Sequence, residues 1–307
     1  HKAHGDKPDV LFLIVTPIIF SSFIYNINGY INGVMYSELA GRQGVNSEVV
    51  STLYGEYSVY FLTIINIPLT LAGAVPTSMI PEVSALYAQH RRKAARRKID
   101  EATQLSMFIS IPAAVGLAVL AYPITRLLFP NTNGTAGTLL LIGAVTIIFN
   151  TNSNVSNGVL QGIGKANLPM WNAAIALVIN VGLLVALLQL TSLGIYAVLV
   201  ATIVYSIVIC ILNDISMKKY IHYKNPWGTV YLCPLLASIP MGVAAGGVYY
   251  LLELVTGSNL ISLLFAIAIG GMIYLSFYTT IMTKLKAMEK RRRMEQRYKR
   301  ERARERR

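Results

Sequence analysis

Apolar residues run along this chain in long blocks separated by short polar punctuation. Eight blocks reach the ~20-residue length that carries an α-helix across the hydrocarbon core of a bilayer. They fall at about 10–36, 57–88, 103–129, 136–161, 168–190, 194–217, 227–252 and 259–283. None shows the short alternation of a barrel strand, and inside a bilayer a helix satisfies its own backbone. The pattern predicts an all-α polytopic membrane protein with eight transmembrane helices.

Composition points the same way: 54% of the 307 residues are hydrophobic and 13% charged, against about 25% charged in soluble chains. The placement of the cations gives a topology. Of 27 Lys and Arg residues, 25 lie near the N-terminus, between Arg91 and Lys98, at Lys165, at Lys218, Lys219 and Lys224, or after Thr283. With eight crossings all of these share one side, and only Arg42 and Arg126 lie on the other. The excess of cations on cytoplasmic loops then predicts a multi-pass inner-membrane protein with both termini of this segment cytoplasmic.

The net charge of +13 resides mostly in the tail, KLKAMEKRRRMEQRYKRERARERR. Glu289 with Arg293 and Glu295 with Lys299 have the i,i+4 order that supports a helix. The tail reads as a basic topology anchor against anionic lipid, and no nucleic acid is expected. The chain starts without Met, and its first apolar run is too long for a signal peptide. A fragment or processed chain is the expectation.

Polar residues inside the spans fall on helical faces. Ser21, Tyr25, Asn28 and Asn32 follow i, i+4, i+7, i+11 in the first. Thr63, Asn66 and Thr70 share a face of the second. Asn150, Asn154, Asn157 and Gln161 repeat the longer spacing in the fourth. Amides and hydroxyls both donate and accept hydrogen bonds. The stripes are therefore expected to line a substrate path suited to sugar hydroxyls or phosphate oxygens, although such groups also bond packed helices together. Pro68, Pro76 and Pro81 are expected to break the second span, since each proline removes a backbone donor. Glu82, next to Pro81, is a candidate for gating or ion coupling, and equally a partner for the basic loop behind it.

No catalytic residues are expected. The four histidines form no metal-ligand spacing with Cys or acidic residues, and none sits at membrane depth to activate a hydroxyl. Cys210 and Cys233 read as inert core residues. GVLQGIGKANLP departs from a phosphate loop, with Val159 and Ala166 at the defining positions. Neither a metal nor a cofactor is expected.

The order of several segments resembles a known family. They are IPLTLAGAVPTSMIPEVSALYAQ (67–89) with the basic loop after it, SMFISIPAAVGLAVLAYPITRLLFP (106–130), NGVLQGIGKANLPMWNA (157–173) and LGIYAVLVATIVYSIVICILNDISMKKY (193–220). Together they are similar to the C-terminal half of the oligosaccharidyl-lipid flippases. This is the group of the stage V sporulation protein B and MurJ types, within the multidrug/oligosaccharidyl-lipid/polysaccharide exporter superfamily. The resemblance implies helices seven to fourteen of a MATE/MurJ-like fold. It implies a six-helix C-terminal lobe over 1–220, two additional transmembrane helices over 221–283 and a basic cytoplasmic tail over 284–307.

The resemblance further implies a flippase of cell-wall or spore-cortex synthesis. It would move an undecaprenyl-linked saccharide, a lipid-linked oligosaccharide or peptidoglycan precursor, by alternating access. The lipid bilayer and the missing N-terminal lobe of the same protein would be its partners, and the last two spans would form a groove for the lipid tail. One departure stands out: Thr63, Ile64, Ile65 and Asn66 occupy positions where MurJ-type proteins carry a cavity arginine. A cation-coupled multidrug exporter of the same superfamily, or a non-transporting membrane scaffold, remain alternatives at this stage.

Overall fold

A computed structural model describes residues 8–130 and 134–305, and shows no strand among them. Within the helices, the side chains of residues 8–14, of Tyr25 and of much of the tail lie outside this description. The described residues form eleven α-helices: α1 (Pro8–Arg42), α2 (Ser47–Gly55), α3 (Leu62–Ala88), α4 (Arg92–Val119), α5 (Ala121–Leu128), α6 (Thr135–Gly143), α7 (Thr146–Gly162), α8 (Asn167–Leu190), α9 (Ile195–Ile221), α10 (Cys233–Thr256) and α11 (Asn259–Glu305).

Six uninterrupted helical rods have the length and apolarity to cross a membrane among the described residues. The bent pair α6–α7, with its 48° angle, makes a seventh when taken as one span. The expected eight therefore exceeds the count. The first expected span lies in α1, the helix whose opening apolar residues fall outside the described side chains. The bundle's exterior is apolar, with Ile67, Val178, Leu190, Leu254 and Leu264 all at least 60% exposed. Such a continuous surface requires hydrocarbon around it.

Two π-helical turns, Glu56–Phe61 and Gly228–Leu232, join α2 to α3 and lead into α10. The first makes Ser47–Ala88 a single 42-residue rod, so residues expected in an outer loop are helical. Asn46 starts that rod, its side chain accepting from the Glu48 N–H at 2.9 Å, which satisfies one of the end donors. The widened turn drives Tyr57 and Phe61 into the main core, where Tyr36, Tyr54, Tyr57 and Phe61 form a chain of ring contacts.

The prolines do not break α3. Pro68, Pro76 and Pro81 all lie inside one continuous helix. Pro76 cannot donate to the carbonyl of Ala72, and Ser106 of α4 donates to that oxygen instead, at 3.2 Å. A neighbouring helix thus takes over the bond that proline removes. The discontinuities lie elsewhere: at Leu120 between α4 and α5, at the α6–α7 bend and at the two π turns.

Close packing of α3 on α7 depends on Gly158 and Gly162, one turn apart. A Cβ at either would collide with Ile80, and at Gly162 also with Ser84. Small residues at i and i+4 let two membrane helices approach.

The basic segments gather at one end of the bundle. Arg96 Nε donates to the Ile221 carbonyl at 2.9 Å, tying the start of α4 to the end of α9. Lys165 and Lys219 both lie 5.5 Å from the Tyr220 ring. At the other end Arg126 pairs with Glu253 at 3.4 Å.

Candidate functional site

Two grooves flank α3. The first, about 570 Å³, lies between α1, α3 and α7, lined by Ser21, Ser22, Asn26, Gly73, Pro76, Thr77, Ile80, Pro81, Asn154, Asn157, Gly158 and Gln161. It brings together Asn154, Asn157 and Gln161 from the predicted stripe of α7 with Pro76 and Pro81 of α3. Asn150 lies one turn beyond them on the same face. None of the lining residues is charged, and amides and hydroxyls dominate the polar ones. Such a surface offers donors and acceptors to neutral polyols, and donors to an anion.

None of the predicted α3 stripe lines this groove, although its helical face leads toward it. Thr63, Asn66 and Thr70 are exposed. Asn66, Thr70, Gly73 and Thr77 continue one face at i, i+4, i+7, i+11, and the last two line the groove. Thr70 Oγ donates to the Asn66 carbonyl at 2.7 Å, which leaves its lone pairs to the outside.

The stripe predicted on α1 lies mostly in a different place. Asn28 and Asn32 are buried, and Asn180 Nδ2 of α8 donates to both, at 3.0 and 2.7 Å. These amides bond α1 to α8 and do not line the groove. Ser21 does line it, while the side chain of Tyr25 lies outside the described residues. The α1 amide in the groove is Asn26, which donates to the Ser22 carbonyl at 2.7 Å. Sequence reading missed Ser22, Asn26 and Thr77. Their spacing was visible, but Ser21 and Asn28 offered an equally regular face.

Glu82 lies in neither groove. Its carboxylate meets Lys98 of α4 at 3.1 Å, and Lys98 also meets Glu101 at 3.2 Å. The arrangement is an exposed ion-pair cluster at the basic end of the bundle.

The second groove, about 450 Å³, is almost wholly apolar. Ile67, Pro68 and Leu71 of α3, Pro112 and Gly116 of α4 and Leu127 of α5 form one wall. Met241 and Ala245 of α10 with Ala266, Ile267, Gly270 and Gly271 of α11 form the other. Small residues hold α10 and α11 together: a Cβ at Gly270 would come 3.2 Å from the Ala245 methyl. Tyr274 of α11 closes the basic end of this wall, donating to the Phe108 carbonyl at 2.8 Å.

A third polar assembly was not foreseen. Asp214 of α9 accepts from Asn152 Nδ2 at 3.1 Å, and Asn152 Oδ1 accepts from Tyr231 at 2.7 Å. Asp214 sits within the expected span 194–217, in ILNDIS, where a carboxylate is rare and marks a polar interior. Among the described residues no group of three His, Cys, Asp or Glu side chains could hold a metal ion.

An apolar exterior, membrane-length helices and a polar groove paired with an apolar one define a polytopic helical membrane protein. The family described as lipid II flippase MurJ matches residues 10–270, and the chain belongs to that family. It is 26% identical to lipid II flippase MurJ of Bacillus subtilis (strain 168), over 86% of this chain and 50% of that protein. It is 20% identical to stage V sporulation protein B of the same organism, over 74% of this chain and 45% of that protein. A solved structure of lipid II flippase MurJ in an inward closed conformation aligns with a TM-score of 0.65 and 22% identity, covering 84% of this chain and 52% of the other. That likeness shows the fold. The chain spans about half the length of the curated relatives it matches.

Proposed function

We propose that the protein flips a lipid-linked oligosaccharide or peptidoglycan precursor across the cytoplasmic membrane by alternating access, as a transporter and not an enzyme. The observation that carries this reading is the pairing of two grooves that share α3. One is neutral and rich in amides, the other apolar and long. An undecaprenyl-linked saccharide has both characters, a polyol head and an isoprenoid tail. Burying apolar tail surface stabilises by about 25 cal/mol per Å², which favours a groove without polar atoms. Head-group hydroxyls need partners on leaving water, which favours Asn26, Thr77, Asn154, Asn157 and Gln161.

In this reading residues 1–220 form the six-helix lobe, 221–283 supply the two tail-binding helices, and 284–307 remain as a basic tail. The gathered cations support a cytosolic side for that end of the bundle, and with it for both termini of this segment. The lobe works against a second lobe of the same transporter, consistent with relatives twice as long as the matched region. The exposed face of Thr63, Asn66 and Thr70 would then look into the cavity between lobes. Glu82, paired to Lys98, gates by exchanging partners when the helices move.

Alternating access requires some helices to bend. The 48° bend of α6–α7 and the π turn before α3 are the points where this lobe can do so. The test is transfer of a fluorescent polyprenyl-diphosphate sugar between leaflets by reconstituted full-length protein. Drug efflux without such transfer would support an exporter instead.

A further inference from the structure

We propose that Arg126 holds the phosphate of a polyprenyl-phosphate lipid whose tail lies in the apolar groove, with Glu253 as its counter-ion when no lipid is bound. The inference rests on the flippase reading and adds to it a charged contact at the end of the bundle opposite the basic segments.

The groove runs to that end. Leu128, the last residue of α5, and Leu263, one turn into α11, both line it. No lining residue of either groove is charged. Burying a phosphate among such residues is costly, so a lipid with its tail in the apolar groove leaves its phosphate at the mouth. Arg126 stands there. It lies in α5 between Ile124 and Leu127, which also line the groove, and its side chain is 74% exposed. Arg42, the other cation at this end, pairs with Glu38 of its own helix at 3.5 Å and takes no part in the groove.

The existing pair is easily exchanged. Arg126 Nη1 meets Glu253 Oε1 at 3.4 Å, which engages one of the five N–H donors of a guanidinium. An exposed single contact of this kind contributes little. A phosphate brings oxygens that a guanidinium grips two at a time, a stronger arrangement. Glu253 keeps a donor when Arg126 turns away, because the Tyr249 hydroxyl lies within hydrogen-bonding reach of its carboxylate. Nor does the fold depend on the ion pair. Tyr249 of α10 donates to Asn259 Oδ1 of α11 at 3.0 Å, and Asn259 Nδ2 donates to the Pro123 carbonyl of α5 at 3.1 Å. The three helices stay joined whatever Arg126 holds.

The test measures lipid binding to purified full-length protein in phosphatidylcholine nanodiscs. The probes are polyprenyl diphosphate and the uncharged polyprenol of equal length. The parent should bind the diphosphate several-fold more tightly. Arg126→Gln should remove that preference and leave polyprenol binding as it was. Glu253→Gln should tighten diphosphate binding several-fold, a gain that loss of a purely structural pair would not produce. An undiminished preference in Arg126→Gln overturns the proposal, and if such protein still flips lipid the flippase reading stands without this site. Displacement of the diphosphate by an equal concentration of phosphatidylglycerol also overturns it, since the site would then take any anionic lipid. Should Arg126→Gln fail to fold, unchanged diphosphate affinity in Glu253→Gln overturns it alone. If neither probe binds the parent and no lipid is flipped, the proposal and the flippase reading fall together.

Discussion

Tyr274 donates its hydroxyl, at 2.8 Å, to the carbonyl of Phe108, the oxygen that Pro112 leaves without its helical N–H. The bond turns a defect in α4 into an attachment for α11. The two ends of the contact also bring the Phe108 and Tyr274 rings together, tilted at 42° with centroids 5.3 Å apart. Tyr274→Phe keeps the ring and should cost about 1 kcal/mol of stability. In a Pro112→Ala background α4 makes its own bond, and the same change should cost measurably less. Chemical denaturation of the four proteins in detergent gives the coupling; equal costs in both backgrounds would refute it.

The α3–α7 seam should be intolerant of bulk. Gly158→Val puts branched carbon into Ile80. Overpacking of this kind costs about 1–3 kcal/mol, read as a lower Tm. Gly182→Val is the control, since a Cβ there meets nothing within 4 Å.

Solvent access separates the two classes of asparagine. In a background with Cys210 and Cys233 replaced by Ser, Asn26→Cys and Asn154→Cys should react with water-soluble thiol reagents. Asn28→Cys and Asn32→Cys should stay unlabelled, because the parent side chains are 6% and 0% exposed. Labelling of all four at one rate would show that α1 does not pack as described.

Much of this was legible beforehand, and all the failures but Asp214 share one cause. Helical spacing placed Asn154, Asn157 and Gln161 on one face, and they line one groove. The same rule grouped Asn28 with Asn32 correctly. It could not say that their face meets Asn180, because periodicity fixes the face and not the neighbour. Pro76 was read as a break because the sequence cannot show Ser106 arriving from α4 to replace the lost bond. The π turn at Glu56–Phe61 left no local signal, so an apolar rod that starts at Ser47 was read as beginning ten residues later. Asp214 needed no structure to be noticed.

Filling the apolar groove should stop transport without unfolding the protein. A Cβ at Gly271 meets nothing within 4 Å, yet the residue lines the groove. Gly271→Leu should keep Tm near that of the parent and slow flipping by at least about tenfold, the equivalent of ~1.4 kcal/mol in the barrier. Normal flipping with Leu in place would remove the groove from the path.

The most direct test of the account is competition during flipping by reconstituted full-length protein. A polyprenyl-diphosphate saccharide should compete well against its fluorescent analogue. The free head group and the bare polyprenyl chain should each compete far more weakly, because each fills one groove. Equal competition by the tail-less head group would contradict the claim that both grooves hold a single molecule.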